Sequence, residues 1–547
     1  MKHLFFIFLS CFVLQTMAQT KLSQEKWQED LRYLQETIHN DYSFLFVKTT
    51  KKIFDAEVEK LHESIPDLDE HEIIVGFSRI IALFEYGHSG ISFNQEPYEF
   101  HYSPFNLYEY SDGIYVQGVH KKYPKALGAK VIAINKMPIN DALQKVRPAV
   151  NDENDSYFKA FGINYLGILE VLHAQGITKK LEKSITLTLY KDGETFDQKF
   201  DSMSKGERVP RHYSHVFQDE NWLEARQQDT VPLYLKNIDR IYFYEYLPKD
   251  KTVYVRHSQI QDDPQENIAD FYARLYNFIE KNDVEKLILD VRLNGGGNNY
   301  KNRPIITGLI ETKKINQKGK LYVIIGRRTF SACQNLVNEL GTYTNATFVG
   351  EATAENVNFY GDAKKVSLPN SKIPVYLSFA WWQDKPVWEG ADATIPSIPV
   401  ALSFDEYRSN QDSVVETILS FSGADFRPDP MQYITDLYMA GKMDELAAEV
   451  PKMVEDPRYG FFDFESEISK TAFRLLIRNQ IEPALGAYTF VTKLFPDSAS
   501  AHKNLADAYL KKGDKTNAIE SLKKVIEIDP TSTLGKSAQA TLKSLKK

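Results

Sequence analysis

Two short segments of the sequence carry the residue types best suited to chemistry. Residues 290–297 (DVRLNGGG) lead an apolar strand into three glycines. Glycines allow a bend whose backbone N–H groups converge on an anion. Residues 326–334 (GRRTFSACQ) follow a second apolar strand and place Ser331 where the next helix is predicted to begin. A serine there exposes its hydroxyl, and the next N–H faces a developing oxyanion, which favours nucleophilic catalysis.

Each segment also has a simpler interpretation. Three glycines can be a flexible turn, and a serine at a helix start is usually an N-cap. No Gly-Lys-Ser/Thr follows the glycines, so a phosphate-binding loop is excluded. Cys333 is close to Ser331, but two residues along a helix turn its side chain away, so we predict a small packed thiol.

Together, the two segments resemble the tail-specific (C-terminal processing) serine peptidases. Residues 289–297 (LDVRLNGGG) are similar to that family's Asp-Leu-Arg-Asn-Asn-Pro-Gly-Gly signature, and residues 331–334 (SACQ) to its Ser-Ala-Ser-Glu nucleophile segment. Residues 349–353 (VGEAT) and 389–400 resemble its Val-Gly-Glu-Pro-Thr and closing segments, in the family's order. The resemblance implies a ClpP/crotonase-like α/β peptidase core that uses neither metal nor cofactor.

The chain departs from the Ser-Lys dyad that many members of this family use. The position aligned with the lysine is Asn356, which cannot take a proton from a serine. Lys364 and Lys365 follow a few residues later, and we predict that both are solvated residues of a strand.

The tricorn-like branch of the family uses Ser, His and Glu instead. His88 lies in residues 84–90 (FEYGHSG), which resemble the branch's Leu-Xaa-Asp-Gly-His-Thr with Tyr86 in place of the Asp. Glu389 begins the closing segment. The resemblance therefore implies a triad in which Ser331 is the nucleophile, His88 is the general base and then acid, and Glu389 orients the imidazole. It also implies an oxyanion hole formed by the N–H groups of Ala332 and of Gly296 or Gly297. Taken singly, His88 would be read as a cap or surface residue and Glu389 as a surface carboxylate.

The elements that must position these residues change along the chain. Helical periodicity is followed by short strands, then by alternating strands and helices, then by helices alone. The strand-rich part resembles the family's PDZ-type module. The predicted boundaries are these: a signal peptide at 1–18, an N-terminal helical domain at 19–98, a PDZ-like domain at 99–204, the peptidase domain at 205–425, and a tetratricopeptide-repeat domain at 426–547.

The last domain shows an internal repeat. Comparing the sequence with itself at a spacing of about 34 residues aligns two sets of small and apolar residues: Ala472, Ala484, Tyr488, Val491 and Pro496 with Ala506, Ala518, Leu522, Val525 and Pro530. Six residues of the second copy match the tetratricopeptide pattern, in which small residues let two helices pack closely: Leu505, Ala506, Tyr509, Gly513, Ala518 and Pro530. Residues 431–455 are predicted to be a further, degenerate helix pair.

Composition narrows the function classes further. The 547 residues are 43% hydrophobic and 13% aromatic with a net charge of −8, so wholesale disorder and nucleic-acid binding are unfavoured. Cys11 and Cys333 are the only cysteines, which excludes a disulfide scaffold. His212 and His215 have no third ligand nearby, so no metal site is predicted.

The N-terminus is typical of an export signal. Lys2 precedes an apolar run at residues 4–14, and small residues end at Ala18 before a predicted cleavage site. The apolar run is too short to span a bilayer. We therefore expect a periplasmic or secreted protein without membrane insertion.

Two functions from different classes fit these patterns. The first is an exported serine endopeptidase that cleaves a peptide or protein substrate through an acyl-enzyme on Ser331. The second is an inactive peptidase fold that binds peptides and acts as a scaffold through its PDZ-like and tetratricopeptide modules. In a third interpretation the repeats recruit a protein partner and proteolysis is incidental.

Overall fold

The computed structural model describes residues 21–421, 426–427, 429–460 and 462–545. The predicted signal peptide and Cys11 lie outside these residues. None of the helices found there is both long and apolar enough to cross a membrane. The described chain forms two compact units. Unit 1 comprises the residues up to Glu109, Gly113–Ala225 and Asn358–Gln383, and unit 2 comprises Tyr110–Asp112, Arg226–Val357 and the residues from Asp384 onward.

The helices of the described chain follow in order: α1 (Gln24–Asp41), α2 (Lys51–Ser64), α3 (Glu70–Ala82), α4 (Ile139–Val146), α5 (Asp155–Ala160), α6 (Leu169–Ala174), α7 (Ile268–Lys281), α8 (Arg303–Glu311), α9 (Ala332–Tyr343), α10 (Phe404–Arg408), α11 (Ser413–Ser420), α12 (Pro430–Met439), α13 (Met443–Glu455), α14 (Phe464–Ile477), α15 (Ile481–Leu494), α16 (Ala499–Lys512), α17 (Lys515–Ile528) and α18 (Thr533–Leu545).

The strands follow in the same way: β1 (Gly90–Ile91), β2 (Asn94–Gln95), β3 (Tyr98–Glu99), β4 (Phe105–Tyr110), β5 (Gly113–His120), β6 (Lys130–Ile134), β7 (Met137–Pro138), β8 (Ser184–Lys191), β9 (Glu194–Asp201), β10 (Arg211–His212), β11 (His215–Val216), β12 (Trp222–Glu224), β13 (Tyr242–Leu247), β14 (Thr252–His257), β15 (Lys286–Asp290), β16 (Leu321–Ile325), β17 (Thr347–Gly350), β18 (Asn358–Ser367), β19 (Pro374–Gln383) and β20 (Ile398–Pro399).

Unit 1 begins with three capped helices. Ser23 and Thr50 cap α1 and α2 with their side-chain oxygens, and Asp69 forms a capping box with Glu72 at the start of α3. Four apolar residues on one face of α1 are all buried: Trp27, Leu31, Leu34 and Ile38. These side chains recur at helical spacing, which explains why the sequence predicted the helix.

The rest of unit 1 is built mainly from antiparallel strands. One sheet has the order β12-β5-β6-β8-β9, with β4 also on β5 and β7 on β6. A smaller sheet has the order β1-β19-β18, in which the long β18–β19 hairpin receives β1 through Gly90 opposite Tyr376. The segment that follows α3 is therefore tied to a hairpin nearly three hundred residues later in the sequence.

Unit 2 is organised by a six-stranded sheet of order β13-β14-β15-β16-β17-β20, in which β13 is antiparallel and the other pairs are parallel. Side chains alternate between two buried faces because the period of a strand is two. On β14, Val253 and Val255 join the core formed with α7, α8 and α9, whereas Tyr254 joins the core on the opposite face. Both faces are covered, which explains why these strands are continuous apolar runs in the sequence.

The last helices of unit 2 pack as the self-comparison predicted. The paired alanines are all fully buried: Ala472, Ala484, Ala506 and Ala518. Gly513 ends α16 at φ +84, a left-handed conformation that glycine adopts without strain. Helices α12 and α13, with Gly441 between them, occupy the predicted degenerate pair. The fold class is thus confirmed: N-terminal helices, a β-rich middle, an α/β sheet and a C-terminal helical run.

Candidate active site

Ser331 sits at a strained bend between a strand and a helix. Strand β16 ends at Ile325, and α9 begins at Ala332. Ser331 has φ +55 and ψ −129, a region that non-glycine residues rarely occupy and that costs roughly 1–3 kcal/mol. Its side chain does not cap the helix, although a capping serine has extended backbone angles and bonds a helical N–H. The N-cap interpretation of Ser331 therefore fails, and the conformation is that of a serine raised on a sharp turn.

The glycine bend lies directly against this turn. Gly296 has φ +100, and a Cβ built on it would lie 2.6 Å from the Ser331 Cβ and 2.9 Å from the Ala332 nitrogen. Only glycine fits there, because both the backbone angle and the space exclude a side chain. The Phe330 N–H donates to the Asn294 carbonyl at 3.1 Å and fixes the two segments together. The two motifs recognised in the sequence are thus neighbours in unit 2.

The backbone around Ser331 offers donors for an oxyanion. Ala332 is the first residue of α9, and the first N–H groups of a helix have no intrahelical acceptor. The Gly296 N–H donates to the Asn294 side chain at 2.9 Å. The Gly296 N–H thus already has an acceptor, which favours Gly297 among the two glycines predicted as the second donor.

A buried carboxylate that the sequence analysis missed contacts Ser331. Glu355 is fully buried, and its Oε2 accepts a hydrogen bond of 2.9 Å from the Ser331 N–H. The Ala354 N–H donates to the Thr329 carbonyl at 3.0 Å, which holds this segment beside the turn. Asn356, the next residue and the one aligned with the family's dyad lysine, is also buried.

The aspartate and arginine of the first motif form a buried ionic network. Arg292 bonds the Asp290 carboxylate on one side and both Asp412 oxygens, at 3.0 Å each, on the other. The Tyr254 hydroxyl donates to Asp290 at 2.7 Å. Burial raises the pKa of Asp290, and the two carboxylates hold the pKa of Arg292 well above its usual range. These bonds anchor the end of β15.

His88 lies in unit 1, in a loop that several side chains hold. The Gly87 N–H donates to Glu153 at 2.8 Å, and the Gly87 carbonyl accepts from Asn151 and Tyr157 at 3.0 and 3.1 Å. The half-buried His88 ring stacks on Phe359, with 6.0 Å between ring centroids.

Desolvation lowers the pKa of His88 to about 4, so the imidazole is neutral at neutral pH. That is the form a general base requires. Tyr86, which stands where the tricorn-like branch has an aspartate, is buried, and its ring packs edge-on against Tyr360.

The remaining candidate residues occupy contrasting environments. Glu389 is exposed, and its N–H donates to the Pro386 carbonyl. Cys333 is fully buried in the core beneath α9, and burial raises the pKa of its thiol well above the usual value, so it is a packed thiol as predicted. Lys364 and Lys365 are exposed on β18, also as predicted.

Comparison with known proteins supports the repeat and the fold. A family model described as tetratricopeptide repeat matches residues 499–532. No curated protein matches the chain. The solved structure of mature CPAF complexed with lactacystin superposes with a TM-score of 0.51 at 12% identity, covering 73% of this chain and 99% of that one.

Two further solved structures are neighbours at lower similarity. A photosystem II D1 C-terminal processing protease has a TM-score of 0.34 at 11% identity, covering 74% of this chain and 97% of its own. A putative S41 protease from Bacteroides fragilis has a TM-score of 0.27 at 15% identity, covering 65% and 86%. The chain thus has the fold of CPAF, ends in a tetratricopeptide repeat, and has structural neighbours among C-terminal processing and S41 peptidases.

Proposed function

We propose that the protein is an exported serine peptidase in which Ser331 is the nucleophile, His88 the general base and then acid, and Glu389 the residue that orients the imidazole. The strained backbone of Ser331 against the glycine bend carries this proposal, because a serine that only capped a helix would not need it. The neighbouring peptidase structures support hydrolysis of peptide bonds as the reaction.

In the proposed mechanism, His88 takes the proton from the Ser331 hydroxyl while Oγ attacks the carbonyl carbon of the substrate. The N–H groups of Ala332 and Gly297 stabilise the oxyanion of the tetrahedral intermediate. His88 then protonates the leaving amine, and an acyl-enzyme remains on Ser331. A water molecule, deprotonated by His88, releases the acid product and regenerates the serine.

We further propose that the mature protein is periplasmic or secreted, with a peptide or protein as substrate and a protein partner on the repeats. The predicted signal peptide supports export, and the tetratricopeptide match supports protein interaction.

The direct test is intact-mass measurement after treatment with a fluorophosphonate. We expect one adduct on the wild-type protein and none on Ser331→Ala or His88→Ala. Ser498→Ala is a matched control, because Ser498 directly precedes α16 and does cap it by accepting from the Ala501 N–H at 3.1 Å. A folded wild type that never forms an adduct, even with peptides present, would contradict the peptidase proposal and favour the scaffold.

The acidic member of the triad can be tested in the same assay. Glu389→Gln should slow labelling if Glu389 orients His88. Glu355 is the alternative acid, because it is buried and already contacts the Ser331 backbone. If Glu355→Gln slows labelling while Glu389→Gln leaves it unchanged, the role passes to Glu355.

The pH dependence of labelling tests His88 as the base. Because its pKa is lowered to about 4, the neutral form persists into acid solution. We expect the labelling rate to hold down to about pH 5 and to fall by half near pH 4, rather than near the ordinary value of ~6.5. The free energy of unfolding should also decrease as the pH falls from ~6.5 to about 4, because over this range the unfolded chain binds a proton at His88 that the folded chain does not. A midpoint near 6.5 would show that the pKa of His88 is not lowered in the folded protein.

A further inference from the structure

Two histidines and a glutamate of unit 1 that have no role in the proposed catalysis meet in space. His71 and Glu72 lie at the start of α3, and His173 lies near the end of α6. The His71 Nε2 and His173 Nδ1 atoms are 2.7 Å apart, and the His173 Nδ1 and Glu72 Oε1 atoms are 4.0 Å apart. One potential ligand atom from each of the three residues lies within 4.8 Å of the other two.

From this cluster we infer that His71, Glu72 and His173 form a site for a divalent transition metal of the zinc class. Two imidazoles and a carboxylate are a common zinc ligand set, with a solvent molecule as the fourth ligand. Bound at ~2.1 Å in a tetrahedron, ligand atoms lie roughly 3.4 Å apart. The observed separations of 2.7 and 4.0 Å bracket that value, so shifts of well under an ångström would bring these two pairs to it, and the His71 and Glu72 ligand atoms lie within 4.8 Å of each other.

The surroundings of the cluster suit an ion. The other oxygen of Glu72, Oε2, accepts the Asp69 N–H at 2.8 Å in the capping box, which holds the carboxylate in place and leaves Oε1 toward His173. Such support by an outer contact orients metal ligands. The side chains of His173 and Glu72 are 14% and 22% exposed, so an ion can enter from solvent.

Sequence spacing did not point to this site, because His173 is more than one hundred residues from the other two ligands. The proposed ion joins α3 to α6 and therefore stabilises unit 1. The loop of His88 directly follows α3 in the sequence, so an ion that stabilises α3 also stabilises the start of that loop. The inference does not depend on peptidase activity and survives if that proposal fails.

The test is zinc binding by the untagged, chelator-treated full chain, measured by calorimetry and by metal content after dialysis. We expect one zinc ion per chain for the wild type, and affinity at least about tenfold weaker for His71→Gln, for His173→Gln and for Glu72→Gln. Glutamine keeps a polar side chain in each position, and circular dichroism verifies that each variant is folded.

His39→Gln is the matched control. His39 lies in the same unit and bonds a carboxylate, Asp55, at 2.6 Å, but it is remote from the cluster in sequence and belongs to a different helix pair. Its zinc affinity should equal that of the wild type. Zinc should also raise the melting temperature of the wild type in a concentration-dependent way, and that rise should vanish in the His71 and His173 variants.

Cobalt gives a spectroscopic readout of the same site. Co²⁺ added to the wild type should produce the intense visible absorption of a four-coordinate centre, and His173→Gln should abolish it. Two results would overturn the inference: a folded wild type that binds neither ion, or equal binding by the wild type and all three cluster variants.

Discussion

The serine turn and the tetratricopeptide helices belong to the same compact unit but are built by opposite means. At the turn, Ser331 is held at positive φ, and the backbone of Gly296 lies directly against it. The buried carboxylate of Glu355 accepts a hydrogen bond from the Ser331 N–H. In the repeats, small side chains let neighbouring helices pack at ordinary backbone angles, and each helix contacts mainly its neighbours. At the turn, backbone strain fixes the position of one hydroxyl group, whereas the repeats are stabilised by many packing contacts, each of them small.

The largest effect that this contrast predicts is at Gly296. In Gly296→Ala the new methyl group would lie 2.6 Å from the Ser331 Cβ, in a backbone conformation that alanine avoids. Displacing the serine turn by about an ångström should slow fluorophosphonate labelling of Ser331 by ~100-fold or more. The measurement is the labelling rate with the fold checked by circular dichroism. Labelling at the wild-type rate would show that the contact does not position the serine.

A core truncation in the repeats should affect stability instead. Leu522 is fully buried with Ala506, Val525 and Ala538 between the last helices. Leu522→Ala should cost roughly 2–5 kcal/mol of the free energy of unfolding of those helices, measured by chemical denaturation. Without denaturant, where those helices stay folded, the labelling rate of Ser331 should be unchanged. A parallel loss of labelling would mean that the two regions are energetically coupled.

The smallest predicted effect has the opposite sign. Gly486 lies inside α15, and a Cβ built on it meets no atom within 4 Å. Gly486→Ala should therefore stabilise the repeats by about 0.4–1 kcal/mol, because alanine restricts the unfolded chain and favours a helix. The same substitution thus disables the serine turn at residue 296 and helps the repeat at residue 486. A lower free energy of unfolding for Gly486→Ala, measured by chemical denaturation, would show that this glycine is needed in the repeat.

The sequence predicted those features of the serine turn and of the repeats that depend on residues close together in the chain. The repeats were found by self-comparison because buried alanines and helix-ending residues recur at fixed spacing. The glycine run and Ser331 were found because a strand, a bend and a helix start each leave a signature within a few residues. The proximity of the two segments followed from family resemblance, and the structure places Gly296 against Ser331.

Other features depend on contacts that no local pattern records. Whether Glu355 or Asn356 approaches the serine is decided by the path of the chain, which the bond between Ala354 and Thr329 fixes. The pairing of Gly90 with Tyr376 and the meeting of His71 with His173 join residues far apart in sequence. Periodicity carries no information about such pairs, because each partner alone has an ordinary pattern.

The ionic network of Arg292 has a consequence for shortened forms of the chain. Asp412, which bonds the guanidinium and also caps α11, follows Arg292 by 120 residues and comes after all the strands of the sheet in the sequence. Without it, a cation at the end of β15 lacks its second carboxylate, and a buried charge with incomplete partners is unfavourable. We therefore expect a chain that ends before residue 412 to leave the sheet loosely packed and prone to degradation or aggregation, although every strand is present.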